Sequence, residues 1–271
     1  MLKIALLIKQ VPETGSVRMD ETTGTVIRKA ADAIVNPLDL YAVEVSLQLK
    51  EKYGAEIFAF SMGPPSAAAA LREVLSMGVD SACLISDPAF GGSDTWATAH
   101  ILSETIKKIV PDVNLILCGE RATDGDTGQV GPEVASALDI PVVAYVAAVG
   151  GLTETSDAKE LELTRSTEYG QEEIRLRLPA LITVLKSVAS PRLPTLDRKI
   201  QVRKAKIPVY TQKDLHLDPG NIGLKGSPTR IVKTFRPQII RHCTIKTLTD
   251  ESSLQDAVTS LVTWLQQKEL V

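Results

Sequence analysis

A glycine- and aspartate-rich segment is the part of the sequence best suited to chemistry. It follows an apolar run ending at Cys118 and reads Gly119-Glu120-Arg121-Ala122-Thr123-Asp124-Gly125-Asp126-Thr127-Gly128-Gln129-Val130-Gly131. Its four glycines allow backbone N–H groups to approach phosphates, and the helix expected after it presents its positive end. Asp124 and Asp126 suit a ribose hydroxyl, a turn or a helix cap better. By itself the composition fits a surface turn with capping aspartates better than a phosphate-binding loop, because glycine-rich loops are common.

The sequence offers no hydrolytic or metal-binding constellation. The loop is neither a Walker loop nor a G-x-G-x-x-G fingerprint, and no nucleophile elbow or HExxH motif occurs. The three histidines are isolated, and the three cysteines form no CxxC pair. Cys83 and Cys118 lie in apolar runs, which predicts buried thiols and fits a reducing cytoplasm. We therefore expect neither a metal site nor catalytic side chains.

Alternating strands and helices must position this loop. We predict strands near residues 3–10, 55–61, 82–86, 114–118 and 142–149, separated by helices. Apolar strands alternating with helices are typical of an α/β fold with a doubly wound, mostly parallel sheet. Ligands bind such sheets at the carboxyl ends of the strands. Further strands near 161–168, 173–178 and 181–185, after Gly150-Gly151, predict an antiparallel addition.

Two stretches depart from this alternation. Residues 12–35, which include Gly15 and Gly24, predict a long loop or hairpin before a helix that Asn36, a favoured N-cap, and Pro37 should open. From Pro191 onward, prolines punctuate an extended segment, followed by an amphipathic helix near 248–268. We therefore divide the chain into an α/β domain, 1–190, and a C-terminal arm, 191–271.

The distribution of charge and hydropathy limits the kinds of partner that the chain could bind. From Lys186 to Lys246 there are 14 Lys and Arg residues against three acids, although the net charge of the chain is only −3. Such a basic segment suits nucleic acid, solvent, or an acidic partner protein and its phosphate-bearing cofactor. No apolar run approaches the roughly 20 residues of a membrane span. We favour a partner protein, in the cytoplasm, without nucleic acid.

Five short motifs in order resemble the β subunit of electron-transfer flavoproteins. They are KIALLIKQV from Lys3, NPLD from Asn36 followed by Tyr41-Ala42-Val43-Glu44, Ser61-Met62-Gly63-Pro64, CGERATDGDTGQVGPE from Cys118, and Leu178-Pro179-Ala180-Leu181 followed by Ser190-Pro191-Arg192. The resemblance extends from the first strand to about Ile207. Beyond it, the tail is similar in character more than in sequence.

The resemblance implies an adenine nucleotide in this chain. The residues implied to contact it are Leu7, Asn36, Pro37, Leu38, Asp39, Met62, Gly119, Glu120, Arg121, Ala122, Thr123, Asp124, Gly125, Asp126, Thr127, Gly128, Gln129 and Val130. Some members hold structural AMP here, while the electron-bifurcating branch holds a second FAD. The Asn-Pro-x-Asp and Asp-Gly-Asp-Thr-x-Gln-Val-Gly patterns resemble that branch, which favours FAD. The alternative is that the glycines only set the turn around AMP.

The resemblance also implies partners. Within a heterodimer with the α subunit, NADH would reduce the FAD of this chain. One electron would pass through the FAD of the α subunit to an acyl-CoA dehydrogenase-type oxidoreductase, and the other to ferredoxin or flavodoxin. No side chain need be an acid or base, because the cofactor carries the hydride chemistry. Leu196 lies in a segment similar to the family's recognition loop, which implies a partner-binding anchor. A leucine packed on the tail is the alternative.

Two interpretations of other kinds remain. A universal-stress-type nucleotide-binding regulatory module would end near residue 150, which the basic tail and terminal helix disfavour. An ATP-pyrophosphatase-type ligase would need Ser-Gly-Gly-x-Asp-Ser after the first strand, where this chain has Lys9-Gln10-Val11-Pro12.

Overall fold

The computed structural model describes residues 1–13, 18–19, 26–27, 33–230, 232 and 243–270. These fall into two compact units, residues 1–230 and residues 231–271. Gly15, Gly24, Pro237 and His242 lie outside the described residues. No helix in the described part of the chain is both long and apolar enough to cross a membrane.

The described residues form thirteen strands. In chain order they are β1 Leu2–Leu7, β2 Gln10–Pro12, β3 Arg18–Met19, β4 Val26–Ile27, β5 Ala33–Val35, β6 Ala55–Met62, β7 Ser81–Ile85, β8 Leu115–Gly119, β9 Val142–Glu154, β10 Lys159–Thr167, β11 Gly170–Arg177, β12 Ala180–Val184 and β13 Val209–Tyr210. Nine of them form one sheet in the order β11-β10-β9-β12-β8-β1-β6-β7-β13. Across the sheet, the six strands β12, β8, β1, β6, β7 and β13 run parallel to one another. At the other end, β10 pairs antiparallel with both β9 and β11.

Helices cover both faces of this sheet. The helices of the described residues are α1 Asp39–Tyr53, α2 Ala68–Met77, α3 Thr95–Ile109, α4 Val130–Leu138, α5 Leu196–Val202, α6 Gln212–Leu215, α7 Gly223–Gly226 and α8 Glu251–Gln267. One core cluster contains the buried sides of α1 and α2, and the other contains those of α3 and α4. The predicted doubly wound, mostly parallel sheet with an antiparallel addition is confirmed.

The core is aliphatic and includes two thiols. Cys83 and Cys118 are buried, as predicted, whereas Cys243 is exposed. Burial raises the pKa of the Cys83 thiol to about 12 and also raises the pKa of Cys118. Both therefore remain neutral packing groups at physiological pH.

The antiparallel addition is smaller than the sequence predicted. β12 lies between β8 and β9 and is parallel to both, so it does not extend the hairpin. All five of its residues are buried, as an interior strand requires. Gly150 and Gly151 do not end a strand, because β9 continues through them to Glu154. A side chain at Gly150 would meet Glu162 of β10, so the glycine permits close pairing.

The region after Pro191 is more regular than expected. Thr195 caps α5 by accepting a hydrogen bond from the Arg198 amide. Farther along, β13 extends the main sheet at the edge of β7, with Val209 opposite Leu84. Leu215, Leu217 and Ile222 are buried in the α3/α4 core. Residues up to 230 therefore belong to the first compact unit. That residues 1–190 and 191–271 have different functions stays a prediction.

In the remaining segments, the elements are of the types that the sequence predicted, although their boundaries differ. The predicted first strand is divided into β1 and β2, and β2 pairs antiparallel with β5, which supports a hairpin within 12–35. In the second unit, α8 matches the predicted terminal helix. Asp250 and Ser253 form a capping box at its start. None of its residues is buried, and its apolar side includes Leu254, Val258, Leu261 and Trp264.

Candidate functional site at the sheet switch point

The strand order reverses between β1 and β8. From β1 the chain crosses through α1 to β6 on one side, and from β8 it crosses through α4 towards β9 on the other. The carboxyl ends of β1 and β8 therefore border a crevice, the usual ligand position in open α/β sheets. Two predicted segments meet there, residues 36–39 and residues 119–130.

Asp39 joins the two edges of the crevice. Its Oδ2 accepts a hydrogen bond of 2.8 Å from the Lys9 amide, just past β1, and its Oδ1 accepts one of 3.2 Å from the Gly119 amide, at the end of β8. The residue is only 5% exposed. Burial raises the pKa of this carboxyl to about 7, against the opposing effect of the hydrogen bonds. Asp39 therefore titrates near neutral pH while it holds the two strand ends together.

The Asn36 side chain hydrogen-bonds the loop, while its carbonyl accepts a hydrogen bond from the Asp39 amide at the start of α1. Its Nδ2 donates to the Arg121 carbonyl at 2.9 Å, and its Oδ1 accepts from the Thr123 amide at 3.2 Å. The predicted role as N-cap is wrong: α1 begins at Asp39, and Leu38 occupies the cap position without a side-chain bond. Because Asn36 is buried, its polar groups need partners, and the loop supplies them.

The loop between β8 and α4 exposes unused backbone donors. Within the described part of the chain, the N–H groups of Asp124, Gly125, Thr127, Gly128 and Gln129 donate no hydrogen bond. They precede the N-terminus of α4, where the side chain of the N-cap residue Gln129 makes no capping hydrogen bond. Free amides beside the positive end of a helix form an anion-binding arrangement.

The glycines of the segment have different roles. A side chain at Gly119 would lie 2.6 Å from the Leu38 carbonyl carbon, so Gly119 permits α1 to approach β8. Gly128 has φ +64°, which the turn requires, and Gly131 permits α4 to pack on Cys118 and Thr183. At Gly125 a side chain would meet no atom within 4 Å. Of the four glycines in this segment, only Gly125 has both open space around it and a backbone conformation that other residues can adopt.

The two aspartates of the loop are paired with cations. Lys9 Nζ lies 2.7 Å from Asp124 Oδ1, and Arg121 Nε lies 2.8 Å from Asp126 Oδ1. Neither aspartate caps α4. Lys9 was not among the predicted site residues, although its position directly after the first strand is a signal that could have identified it. Both cations lie at the surface of the site.

The other predicted site residues differ in their burial and in their hydrogen bonds. Leu7 is buried in the α3/α4 core, whereas Met62 is half-buried at the end of β6. The Glu120 amide donates to the Val184 carbonyl, which ties the loop to β12. The hydroxyl of Thr123 is buried and has no partner within the described chain. Pro37, Thr127 and Gln129 are exposed, while Leu38, Ala122 and Val130 are half-buried.

The predicted partner anchor lies outside the crevice. Leu196 is the first residue of α5 and is 73% exposed. Leu193 and Ile200 are also exposed, at 89% and 62%. Leu196 is thus exposed among the described residues, and its role as a partner anchor stays a prediction. No group of three or more potential metal ligands occurs in the described part of the chain.

The protein is an α/β protein with a doubly wound sheet. At the switch point of that sheet, a loop with unused backbone amides leads into the N-terminus of α4. Residues 23–215 match the model of the electron transfer flavoprotein domain. The chain belongs to the electron transfer flavoprotein family.

Its relatives are β subunits and related proteins. It is 40% identical over 271 residues, all of both chains, to the electron transfer flavoprotein subunit beta of Thermoanaerobacterium thermosaccharolyticum. It is 39% identical, again over all of both chains, to the caffeyl-CoA reductase-Etf complex subunit CarD of Acetobacterium woodii. Protein FixA of Azotobacter vinelandii is 41% identical over 85% of this chain and 83% of its own. The chain is thus of the β-subunit type, which functions in electron transfer and implies an α-subunit partner.

Proposed function

We propose that this chain binds FAD at the switch-point crevice. The observation that carries the proposal is the set of backbone amides without an acceptor among the described residues, at Asp124, Gly125, Thr127, Gly128 and Gln129, which leads into α4. The pyrophosphate would accept hydrogen bonds from them, as at other helix N-termini. Lys9 and Arg121 would supply positive charge by exchanging their aspartate partners for phosphate. The Thr123 hydroxyl would gain a partner.

The remaining predicted residues would complete the cradle. Asn36 and Asp39 fix the loop and the strand ends, so their role is to preorganise the site. Met62 and Leu38 offer half-buried apolar surface for the adenine ring. The open space at Gly125 leaves room for the larger flavin part.

Bound FAD would accept a hydride from NADH and release the two electrons singly, one through the FAD of the α subunit to an acyl-CoA dehydrogenase-type oxidoreductase and one to ferredoxin or flavodoxin. The chain itself would contribute binding and orientation rather than an acid or base. A relative named as a subunit of a caffeyl-CoA reductase-Etf complex supports a CoA-linked oxidoreductase partner. The family match favours this electron-transfer function over a universal-stress-type regulatory module.

AMP as a structural ligand is the second candidate. Its phosphate would accept hydrogen bonds from the same unused loop amides, and the smaller ligand would not need the open space at Gly125. In that case the chain would support electron transfer by the α-subunit flavin without receiving a hydride.

Cofactor content decides between these candidates. The ligands of the purified heterodimer are released by denaturation and quantified by chromatography. Two FAD per heterodimer without AMP are expected; one FAD with one AMP would refute the FAD proposal. Gly125→Asp should lower the nucleotide content, because it places a charged side chain in the open space. Unchanged content would place the nucleotide elsewhere.

We further propose that residues 191–271 supply a recognition loop around Leu196, which docks an oxidoreductase partner, and a C-terminal arm whose terminal helix α8 packs on the α subunit. The exposed apolar side of α8 supports this role. The isolated chain should then associate or aggregate, while the heterodimer stays monodisperse in light scattering. A monodisperse isolated monomer would contradict the proposal.

A further inference from the structure

Arg192 attaches the segment before α5 to the side of α1. Its Nε donates to Glu44 Oε2 at 2.9 Å and its Nη2 donates to Glu44 Oε1 at 2.9 Å, so the pair is bidentate. The Arg192 amide also donates to Glu44 Oε2, at 3.0 Å. Nη1 and Nη2 both donate to the Glu51 carboxylate. Glu44 and Glu51 lie about two turns apart on one side of the helix, so one guanidinium spans both.

This contact differs from an ordinary surface ion pair. Glu44 is only 4% exposed, and it lies 148 residues from Arg192 in the sequence. Burial would raise the pKa of Glu44, but its hydrogen bonds to Arg192 outweigh burial and lower the pKa. Removing the guanidinium would leave a buried carboxylate without its counter-charge. The contact therefore fixes the backbone at residue 192 more firmly than exposed pairs do.

The segment beyond Arg192 contacts α2 through α5, but it is not buried there. No residue of α5 is buried, and Leu193, Leu196 and Ile200 are the exposed side chains described above. The Lys199–Glu73 pair, at 3.5 Å, is partly exposed. Val202 and Ile207 pack partly on the α1/α2 core and anchor the far end. Arg192 is thus the anchor at the near end of an apolar, exposed surface.

We infer that Arg192 is a positioning residue for partner docking, which holds Leu193, Leu196 and Ile200 in the arrangement that an electron-exchanging oxidoreductase recognises. The inference rests on the proposed function, in which Leu196 has the partner-binding role that the family resemblance implies. An apolar anchor held rigidly before binding loses less conformational entropy in the complex. Loosening the segment should therefore weaken docking without changing the flavin site.

The first measurement needs no partner. In the purified heterodimer, Arg192→Ala should increase amide hydrogen exchange across residues 193–202 by about tenfold or more, since opening of the segment becomes easier. Arg192→Lys should give an intermediate increase, because a lysine cannot bind a carboxylate in the bidentate manner. Arg198→Ala is the matched control on α5 and should leave exchange near the wild-type level. Unchanged exchange in Arg192→Ala would overturn the inference.

The second measurement uses an acyl-CoA dehydrogenase, reduced with its acyl-CoA substrate, as the probe. Reduction of the heterodimer's flavin is followed by absorbance at varied dehydrogenase concentration. Arg192→Ala should raise the KM for the dehydrogenase about tenfold, with kcat and flavin content unchanged. If Leu196→Ala raises this KM and Arg192→Ala does not, the positioning role is wrong. If neither raises it, the docking proposal itself fails. Should Arg192→Ala not fold, Arg192→Lys carries the same comparison.

Discussion

Two carboxylates on α1 lie in contrasting environments. Asp39, at the switch-point crevice, is held by two backbone amides, and burial raises its pKa to about 7. Glu44, on the side of α1 that Arg192 contacts, has little accessible surface but lies less deep than Asp39 and faces a guanidinium, and its pKa is lowered. The deeper burial of Asp39 and the counter-charge beside Glu44 together account for the difference. Asp39 in the crevice can therefore change its charge near neutral pH, whereas Glu44 stays negatively charged there.

The largest expected effect concerns pH at Asp39. Because its folded pKa lies above the ordinary value of 3.8, protonation favours the folded state. This stabilisation is fully present below about pH 4 and is lost as the pH rises to about 7. The unfolding free energy of the wild type, relative to Asp39→Asn, should fall by about 4 kcal/mol over that range. Denaturant titrations at several pH values measure it. A pH-independent difference would break the contrast with Glu44.

Arg192→Ala tests the other side of the comparison. It should destabilise the heterodimer by about 2–3 kcal/mol, below the loss for a fully buried pair, because the Arg192 side chain is one-third exposed. Thermal unfolding measures the change. In Glu44→Gln/Arg192→Ala the unpaired charge is gone, so part of the stability should return. A double variant less stable than either single variant would show that charge is not what fixes this side of α1.

Asn36 sharpens the comparison within the crevice. Asn36→Ala removes both side-chain bonds to the loop and should cost about 1–3 kcal/mol, measured by chemical unfolding. Asn36→Asp keeps the acceptor for the Thr123 amide but loses the donor to the Arg121 carbonyl. It also places a second carboxylate near Asp39. Because the Asn36 side chain hydrogen-bonds the Asp39 carboxyl, Asn36→Asp should become less unfavourable at low pH, and the absence of that trend would show that the two carboxylates do not interact.

Glu51 provides the smallest effect. It is exposed, and its hydrogen bonds to Arg192 lower its pKa. Glu51→Gln should leave the unfolding midpoint unchanged within measurement error, because exposed ion pairs contribute little to stability. A loss as large as that of Arg192→Ala would transfer the anchoring role from Glu44 to Glu51.

The sequence by itself determined the local features of this protein. Apolar runs and helical periodicity predicted the parallel strands and the terminal helix, and the glycine-rich loop predicted where a crevice could bind phosphate. Collinear short motifs identified the family. These signals lie within a few residues of the elements they describe, so they need no knowledge of chain packing.

Only the tertiary structure decided which distant groups meet. Asn36 serves a loop 85 residues away instead of capping its own helix, because the buried amide finds its partners there. β12 enters the interior of the sheet because all of its residues need burial on both faces. Arg192 meets Glu44 across 148 residues and lowers the pKa of that carboxyl, whereas burial in the crevice raises the pKa of Asp39. Such pairings depend on how the elements pack, which local patterns do not specify.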